Sequence, residues 1–296
     1  MILVPNVRES IEALLLSGLS DGSVTGEQFN DLGFKMSLAV ERQLTPRPHG
    51  GNRLDEKKLY ASEIGTPCLR KLWYRLRSND YATEPLGAST KMKFMFGDLI
   101  EELVLFLAEA SGHEVTHQQE RMEIPLANGW TVSGRKDARI DGITYDVKSS
   151  SSYGMKKFDS VGMLRANDDF GYEKQLQAYT AHDGDTQGAF LAVDKTLGTL
   201  RELVLDEHLT QDQLIAEWDT KIPLLEADEP PDREFDSVPD GKSGNMKLAT
   251  ACSYCDHKND CWEDSNGGAG LRTFLYSNKP VFLTEVARLP KVPEVT

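Results

Sequence analysis

Apolar residues recur at helical spacing through the first stretch of the chain. Ile11, Leu14, Leu15 and Leu19 predict a helix over 7–19 that frays at Gly18, and Phe29, Leu32, Met36 and Val40 predict a second over 26–41. Prolines and glycines at 45–52 then break the pattern as a linker or exposed loop. Pro67 suits the first turn of a helix bearing Leu69, Leu72, Trp73 and Leu76 on one side, with Cys68 at its N-terminus. The Trp73–Tyr74 pair reads as packing rather than base stacking. The longest helical pattern covers 89–111 and is closed by Gly112. Its Met92, Met95, Phe96, Leu99, Leu103 and Phe106 make a broad apolar face expected to lie in the core.

The period then shifts to two. Strands are expected over 114–124, 131–140 and 143–149, with hairpin signals at Asn128-Gly129 and Asp141-Gly142. A helix over 171–181, strands over 188–193 and 200–205, and a helix over 209–225 through Leu214, Trp218 and Leu225 follow. Residues 227–247 read as a long irregular connection, and 273–276 and 280–283 as short strands or extended packing. Helix, three strands, helix, strand is the order of a mixed α/β protein.

The Asp141-Gly142 hairpin concentrates the chemistry. Both central residues of a type I′ turn need positive φ, so Ile140 should pair with Ile143 and Asp137 should stand opposite Asp146. One strand face then carries Arg135, Asp137, Arg139, Thr144, Asp146 and Lys148. The other carries Ala138, Ile140, Ile143, Tyr145 and Val147, with Lys136 as an intruder. Like charges directly opposite on a sheet repel across roughly 4.5–5.5 Å. A divalent cation between them reverses the sign, since hard ions prefer carboxylate oxygens, and Lys148 is placed to meet an anion held by that metal. The alternative is a mixed-charge face in which Arg135, Arg139 and Lys148 simply neutralise the two aspartates.

Three further features bear on this. Gly97 costs roughly 1 kcal/mol inside a helix relative to alanine, which suggests close approach of another backbone. Glu101 lies one turn later on the same face, next to Glu102; the pair is either aimed at what approaches or solvated. Gln175 and Tyr179, four apart, share a helical face.

Composition narrows the class. The 296 residues are 39% hydrophobic and 27% charged, ordinary for a globular protein, and no apolar run approaches the roughly 20 residues of a membrane span. The N-terminus lacks the basic and apolar regions of a signal peptide, so an intracellular, cytoplasmic location is expected, in a bacterial or phage-infected host cell. A net charge of −14 argues against non-specific coating of nucleic acid but leaves room for a locally basic cleft. The basic groups Arg70-Lys71 with Arg75 and Arg77, Lys91 with Lys93, and Lys156-Lys157 each read as solvated surface. Of four cysteines, Cys68 stands alone and Cys252, Cys255 and Cys261 cluster. In a reducing compartment such thiols suggest a metal, either Zn²⁺ or an iron–sulfur cluster.

With Gly134-x-x-Asp137, Asp146-Val-Lys148 and Gln175-x-x-x-Tyr179 in this order, the chain resembles the RecB-like branch of the PD-(D/E)XK nucleases. Cys68 and the distant Cys252-x2-Cys255-x5-Cys261 resemble that branch's iron–sulfur subgroup, which includes CRISPR adaptation nucleases, the AddB nuclease domain and phage-encoded relatives. The similarity spans about residues 60–262. It implies a restriction-endonuclease-like core, a central mixed β-sheet flanked by helices, over 53–262. A helical appendage and linker over 1–52 would precede it, and a packed tail over 263–296 would follow.

The resemblance further implies that Asp137, Asp146 and the Val147 carbonyl bind Mg²⁺ or Mn²⁺, that Lys148 is the catalytic lysine, and that Gln175 and Tyr179 support substrate and water. The four cysteines would hold a structural [4Fe–4S] cluster, or Zn²⁺ in its place. Where this branch commonly has a metal-binding histidine four residues after a glycine, this chain has Glu101, the expected ligand, with Glu102 second; an oxygen ligand moves preference towards Mg²⁺. The activity implied is a metal-dependent deoxyribonuclease, an exonuclease acting on DNA ends with a lean to single strands, in recombination, repair, phage DNA processing or CRISPR adaptation. The alternative is a DNA-binding or scaffold subunit of such a complex, with protein partners. Oligomeric state, polarity and strand preference do not follow from sequence.

Overall fold

The computed structural model of the chain describes residues 6–20, 22–45, 53–78, 87–206, 209–277 and 279–295. Most of the breaker expected at 45–52 therefore lies outside the described residues. Helices α1 (Val7–Ser17) and α2 (Gly26–Leu44), strand β1 (Lys58–Tyr60), and helices α3 (Leu69–Leu76) and α4 (Ala88–Ala110) come first. Strands β2 (Val115–Thr116), β3 (Arg121–Pro125), β4 (Thr131–Arg135), β5 (Ala138–Ile140) and β6 (Ile143–Ser150) follow. A 3-10 turn, Gly154–Asp159, leads through α5 (Val161–Ala166) and α6 (Tyr172–Asp183) to β7 (Gly188–Asp194), β8 (Leu200–Leu205) and α7 (Gln211–Glu226). Then come β9 (Val238–Pro239), β10 (Met246–Lys247) and three single-turn helices, α8 (Thr250–Ser253), α9 (Lys258–Cys261) and α10 (Ser265–Gly268). Strands β11 (Arg272–Tyr276), β12 (Lys279–Glu285) and β13 (Glu294–Val295) complete the order.

These elements gather into two compact units. One comprises the described parts of 1–49, 57–65 and 86–219, the other those of 50–56, 66–85 and 220–296. This division differs from the expected one at 52 and 262. Helix α1 is not an appendage, because Val7 and Ile11 are fully buried in the main core of the first unit. Each such burial stabilises by roughly 1.5–3 kcal/mol. The Glu202 carboxylate on β8 accepts the Val7 and Arg8 N–H groups (3.3 and 3.1 Å), answering donors that the start of a helix leaves unpaired. The cysteine-rich segment and the tail belong to one unit rather than two.

The first unit is mixed α/β. Its five-stranded sheet runs β2-β5-β6-β7-β8, with β6 and β7 parallel and the other pairs antiparallel. On one face Tyr145, Val147, Ala189 and Leu191 pack with Val7 and Ile11 of α1 and Val104, Leu105 and Ala108 of α4. On the other, Phe190, Ala192, Leu203 and Leu205 pack with Met155, Phe158, Leu164 and Leu176 from the 3-10 turn, α5 and α6. A second, three-stranded sheet has the order β1-β4-β3. The second unit carries an antiparallel sheet, β13-β11-β12-β10-β9.

The hairpin register is as expected: Ile140 faces Ile143 and Ala138 faces Tyr145, with Asp141 at φ 49° and Gly142 at φ 80°. The strand leading into it is not continuous. The expected 131–140 strand divides at Lys136-Asp137 into β4 and β5, which belong to different sheets. The expected 114–124 strand likewise divides into β2 and β3, with His117 and Gln119 at positive φ between them. Lys136 gives the physical reason for the first break. Although 1% exposed, its ammonium reaches Asp183 (2.6 Å) and Glu120 (2.7 Å), counter-charges that satisfy a buried cation.

The core face of α4 also differs from expectation. Met92 (49%), Phe96 (49%) and Leu103 (40%) are exposed, and Val104, Leu105 and Ala108 are buried instead. Apolar residues run nearly all round this helix, so periodicity alone does not select the face that meets the sheet. Trp73 and Tyr74 are buried as packing residues, their rings edge to face at 5.2 Å.

Candidate active site

Strand alternation sends Tyr145 and Val147 of β6 to the α4 side of the sheet, leaving Asp146 and Lys148 on the α6 side. Asp146 is 1% exposed. The Lys148 ammonium sits 2.5 Å from its Oδ2. Burial raises the Asp146 pKa, with Lys148 opposing. For Lys148, burial disfavours the charged form, but Asp146 and Asp137 outweigh it and hold the pKa above the usual lysine range. Lys148 is therefore a fixed cation.

Asp137 occupies the corner between β4 and β5, and its Oδ2 accepts the Val147 N–H at 2.7 Å. Burial and the Asp146 charge raise its pKa to about 7 despite Lys148 and that hydrogen bond. Glu101 on α4 is raised further, to about 9, by burial and then by Asp137, Glu102, Asp98 and Asp146. Three carboxyls thus share one field, with Lys148 acting on Asp146 and Asp137. Arg139, a candidate neutraliser from the sequence, instead pairs with Asp183 (3.0 Å) and Asp185 (2.9 Å), and Thr144 donates to the same two aspartates. Three carboxyls that raise one another's pKa are oxygen donors of the kind that a hard divalent cation fits.

The carboxylates are not drawn into a coordination sphere. Among the described residues no three His, Cys, Asp or Glu side chains are grouped closely enough to hold a metal ion. Each expected ligand has its own partner: Gln119 donates to Glu101, Val147 to Asp137, and Lys148 pairs with Asp146. Glu102 points elsewhere. It is 7% exposed, with the Arg42 guanidinium 3.9 Å away, beside a cavity of about 610 Å³ also lined by Lys35, Gln119 and Arg135. Neither glutamate is a solvated surface group. The expectation about Gly97 does not hold: a Cβ there would meet only Ser149 Oγ at 3.6 Å, an ordinary contact with a side chain.

Helix α6 closes the far side. Gln175 Nε2 donates to the Tyr179 hydroxyl at 2.9 Å, as their spacing predicted. Tyr179 is 3% exposed; burial, then Asp146 and Asp137, push its pKa above the usual range, so the phenol stays protonated. Gly134 permits this approach, since a Cβ there would lie 3.0 Å from Tyr179 Cε1 and 2.8 Å from Ala61 Cβ. Two neighbours were not foreseen. Tyr172 places its ring 5.0 Å from Lys148 Nζ, and Gln119 joins Glu101. Tyr172 lies three residues before Gln175 and seven before Tyr179, on the same helical face, so spacing was a usable signal; Gln119 offered none.

The four thiols lie in the second unit. All are free and half-buried. Cys68 caps α3, its Sγ accepting the Lys71 N–H at 3.4 Å. Burial and the neighbouring Cys68, Cys261 and Cys255 raise Cys252 to about 11. Cys255 and Cys261 are raised mainly by burial, Cys261 against the pull of Arg70 and Arg233. His257 beside them is 1% exposed with both ring nitrogens unpartnered. Cys252 senses the other three thiols, which suit a soft-metal or iron–sulfur centre in donor type, but among the described residues they are not grouped closely enough to hold a metal ion.

No protein-family model matches the chain, and no curated protein is similar enough in sequence to match. Among solved structures the chain is similar to SSO0001, with a TM-score of 0.43 and 16% identity over 75% of this chain and 92% of that one. It is also similar to an alkaline exonuclease from Laribacter hongkongensis, at TM-score 0.39 and 17% identity over 57% of this chain and 86% of that one. The same exonuclease in complex with dAMP matches at TM-score 0.38, with the same identity and coverage. No helix among the described residues is long and apolar enough to cross a membrane.

Proposed function

We propose that this chain is a divalent-metal-dependent deoxyribonuclease of the RecB-like PD-(D/E)XK type, hydrolysing phosphodiesters at DNA ends. The observation that carries the reading is the buried Asp146 carboxylate, paired only to Lys148 in a field shared with Asp137 and Glu101. Glu101, Asp137, Asp146 and the Val147 carbonyl would hold Mg²⁺ or Mn²⁺. Such an ion, when bound, supplies a water of lowered pKa and polarises the phosphate.

The chain's own residues have separable roles. Lys148, whose ammonium lies against Asp146, would serve as a positive charge for the negative charge that builds on phosphate oxygens. Tyr179, held by Gln175, keeps a neutral hydroxyl beside the carboxylates. Glu101 and Asp137 hold protons near neutral pH without metal, so loading the site must release them. Cys68, Cys252, Cys255 and Cys261 would carry a structural [4Fe–4S] cluster, with Zn²⁺ as the alternative.

The test is cleavage of end-labelled single- and double-stranded DNA with each metal. Wild-type protein should degrade DNA, and the Asp146→Ala and Lys148→Ala variants should not; equal activity in the variants sinks the assignment. A second reading, a DNA-binding or scaffold subunit with little activity of its own, is favoured by the partners that already occupy each carboxylate. Metal-dependent cleavage by the isolated chain decides against it.

A further inference from the structure

A ladder of cations and rings leads away from Lys148. Its Nζ lies 5.0 Å from the Tyr172 ring centroid, and Lys157 Nζ lies 4.9 Å from the same ring. Lys157 also reaches the Phe170 ring at 5.3 Å, and the Phe170 and Tyr172 rings stack with centroids 5.7 Å apart at 20°. On the turn that carries Lys157, Lys156 lies 5.7 Å from the Tyr153 ring. The outer rings are open: Phe170 is 64% and Tyr153 81% exposed. By sequence Lys156-Lys157 read as solvated surface, whereas Lys157 lies against two aromatic rings.

Neither exposed ring is needed for the core. The Phe158 and Phe190 cluster is completed by Tyr172, whose ring stacks on Phe158 at 6.3 Å, and Phe170 adds only an outer layer. Nearby acids are partly spoken for. Asp168 accepts the Tyr172 and Glu173 N–H groups at 2.8 and 2.9 Å, Glu173 pairs with Arg165 at 2.7 Å, and Asp169 is exposed. Exposed aromatic faces interleaved with ammonium groups offer what unpaired nucleotides seek, a stacking surface for bases and counter-charges for phosphates. Base pairing and stacking within a duplex conceal the base faces that such rings recognise.

We propose that Phe170 and Tyr153, with Lys156 and Lys157, form a docking track for a single-stranded DNA end that leads its phosphate to Lys148. This rests on the nuclease reading and assigns to it the residues that would receive the strand.

The test is equilibrium binding in EDTA, where cleavage cannot proceed, using a fluorescein-labelled oligothymidylate and a blunt duplex of equal length. Wild-type protein should prefer the single strand. Phe170→Ala with Tyr153→Ala should weaken single-strand binding by about tenfold or more, as loss of base stacking does, and leave its salt dependence unchanged. Lys156→Gln and Lys157→Gln should each reduce the salt slope by about 0.7. Phe170→Trp should restore affinity and show fluorescence quenching on binding. Phe34→Ala removes an equally open ring on α2, 62% exposed, and should leave binding unchanged. Unchanged affinity in the Phe170/Tyr153 variant, an equal loss with Phe34→Ala, or preference for the duplex overturns the track. Preserved single-strand preference without metal-dependent cleavage retains the track and removes the nuclease reading. Cleavage with unaltered affinity in the ring variants does the reverse.

Discussion

Asp137 and Glu101 bind protons far more tightly folded than unfolded, and this links the site to stability. Their pKa values stand at about 7 and about 9 against ordinary values of 3.8 and 4.5. A raised carboxyl pKa contributes stability below the unfolded value and loses it as pH rises to the folded one. In EDTA the melting temperature should therefore fall from about pH 4 to about pH 9 through these groups, and Glu101→Gln should flatten the upper part of that fall. On the proposed reading Mg²⁺ would bind the deprotonated set, so its stabilising effect should grow with pH over the same range. A metal effect larger at about pH 5 than at about pH 9 contradicts the assignment of both groups to the metal site. Lys148→Ala removes the cation beside Asp146. It should lower single-turnover cleavage by about 100-fold or more and, because Lys148 holds the Asp137 and Asp146 pKa values down, move the acid limb of the pH profile upward; a limb that stays in place contradicts that coupling.

At the level of elements, α6 is seated by two glycines. A Cβ on Gly171, which caps α6 at φ 73°, would stand 2.3 Å from Gly65 backbone atoms, and one on Gly65 would clash equally with Gly171. Gly171→Ala should cost about 1–3 kcal/mol in urea denaturation and lower cleavage as well, because Tyr172 and Gln175 follow directly on the helix. A loss of stability with full activity would show that the helix reseats without disturbing the site. Sequence announced some elements and hid others for identifiable reasons. Asp141-Gly142 was legible because two consecutive positive φ angles leave few residue choices. The break at Lys136 was hidden because apolar alternation continues through it, and the only trace was a lysine on the wrong face. The buried side of α4 was hidden because its apolar residues encircle the helix, so the choice belongs to α1 and the sheet. Asp137, Asp146 and Lys148 were placed together from register alone, but their charge balance depended on Asp183, the last residue of α6, and Asp185 just beyond it, which draw Arg139 away.

Across the whole molecule the two units differ in what can hold them together. The first has a layered core on both faces of its sheet. The second reaches its cysteines through single-turn helices, Thr250–Ser253 and Lys258–Cys261, too short to persist on their own. Protein purified without oxygen should be brown and contain iron and sulfide, while zinc in a colourless protein would replace that proposal. Removing the centre should expose the amides of α3 and α9 to hydrogen exchange and leave those of β6 and β7 protected; uniform exposure would show that the centre is not confined to holding the second unit. The pairing of β6 with β7 has a kinetic consequence. Because the two strands are parallel, residues 151–187 must cross over and pack before the ladder can close. Lys148 lies on the strand before that crossover and Tyr172 within it, so neither meets the other while the loop is open. Long-range parallel closure is a slow step in folding. Refolding protein should regain cleavage no sooner than β6 and β7 gain amide protection, so on the proposed function a newly synthesised chain would be inert towards DNA until its central sheet is sealed.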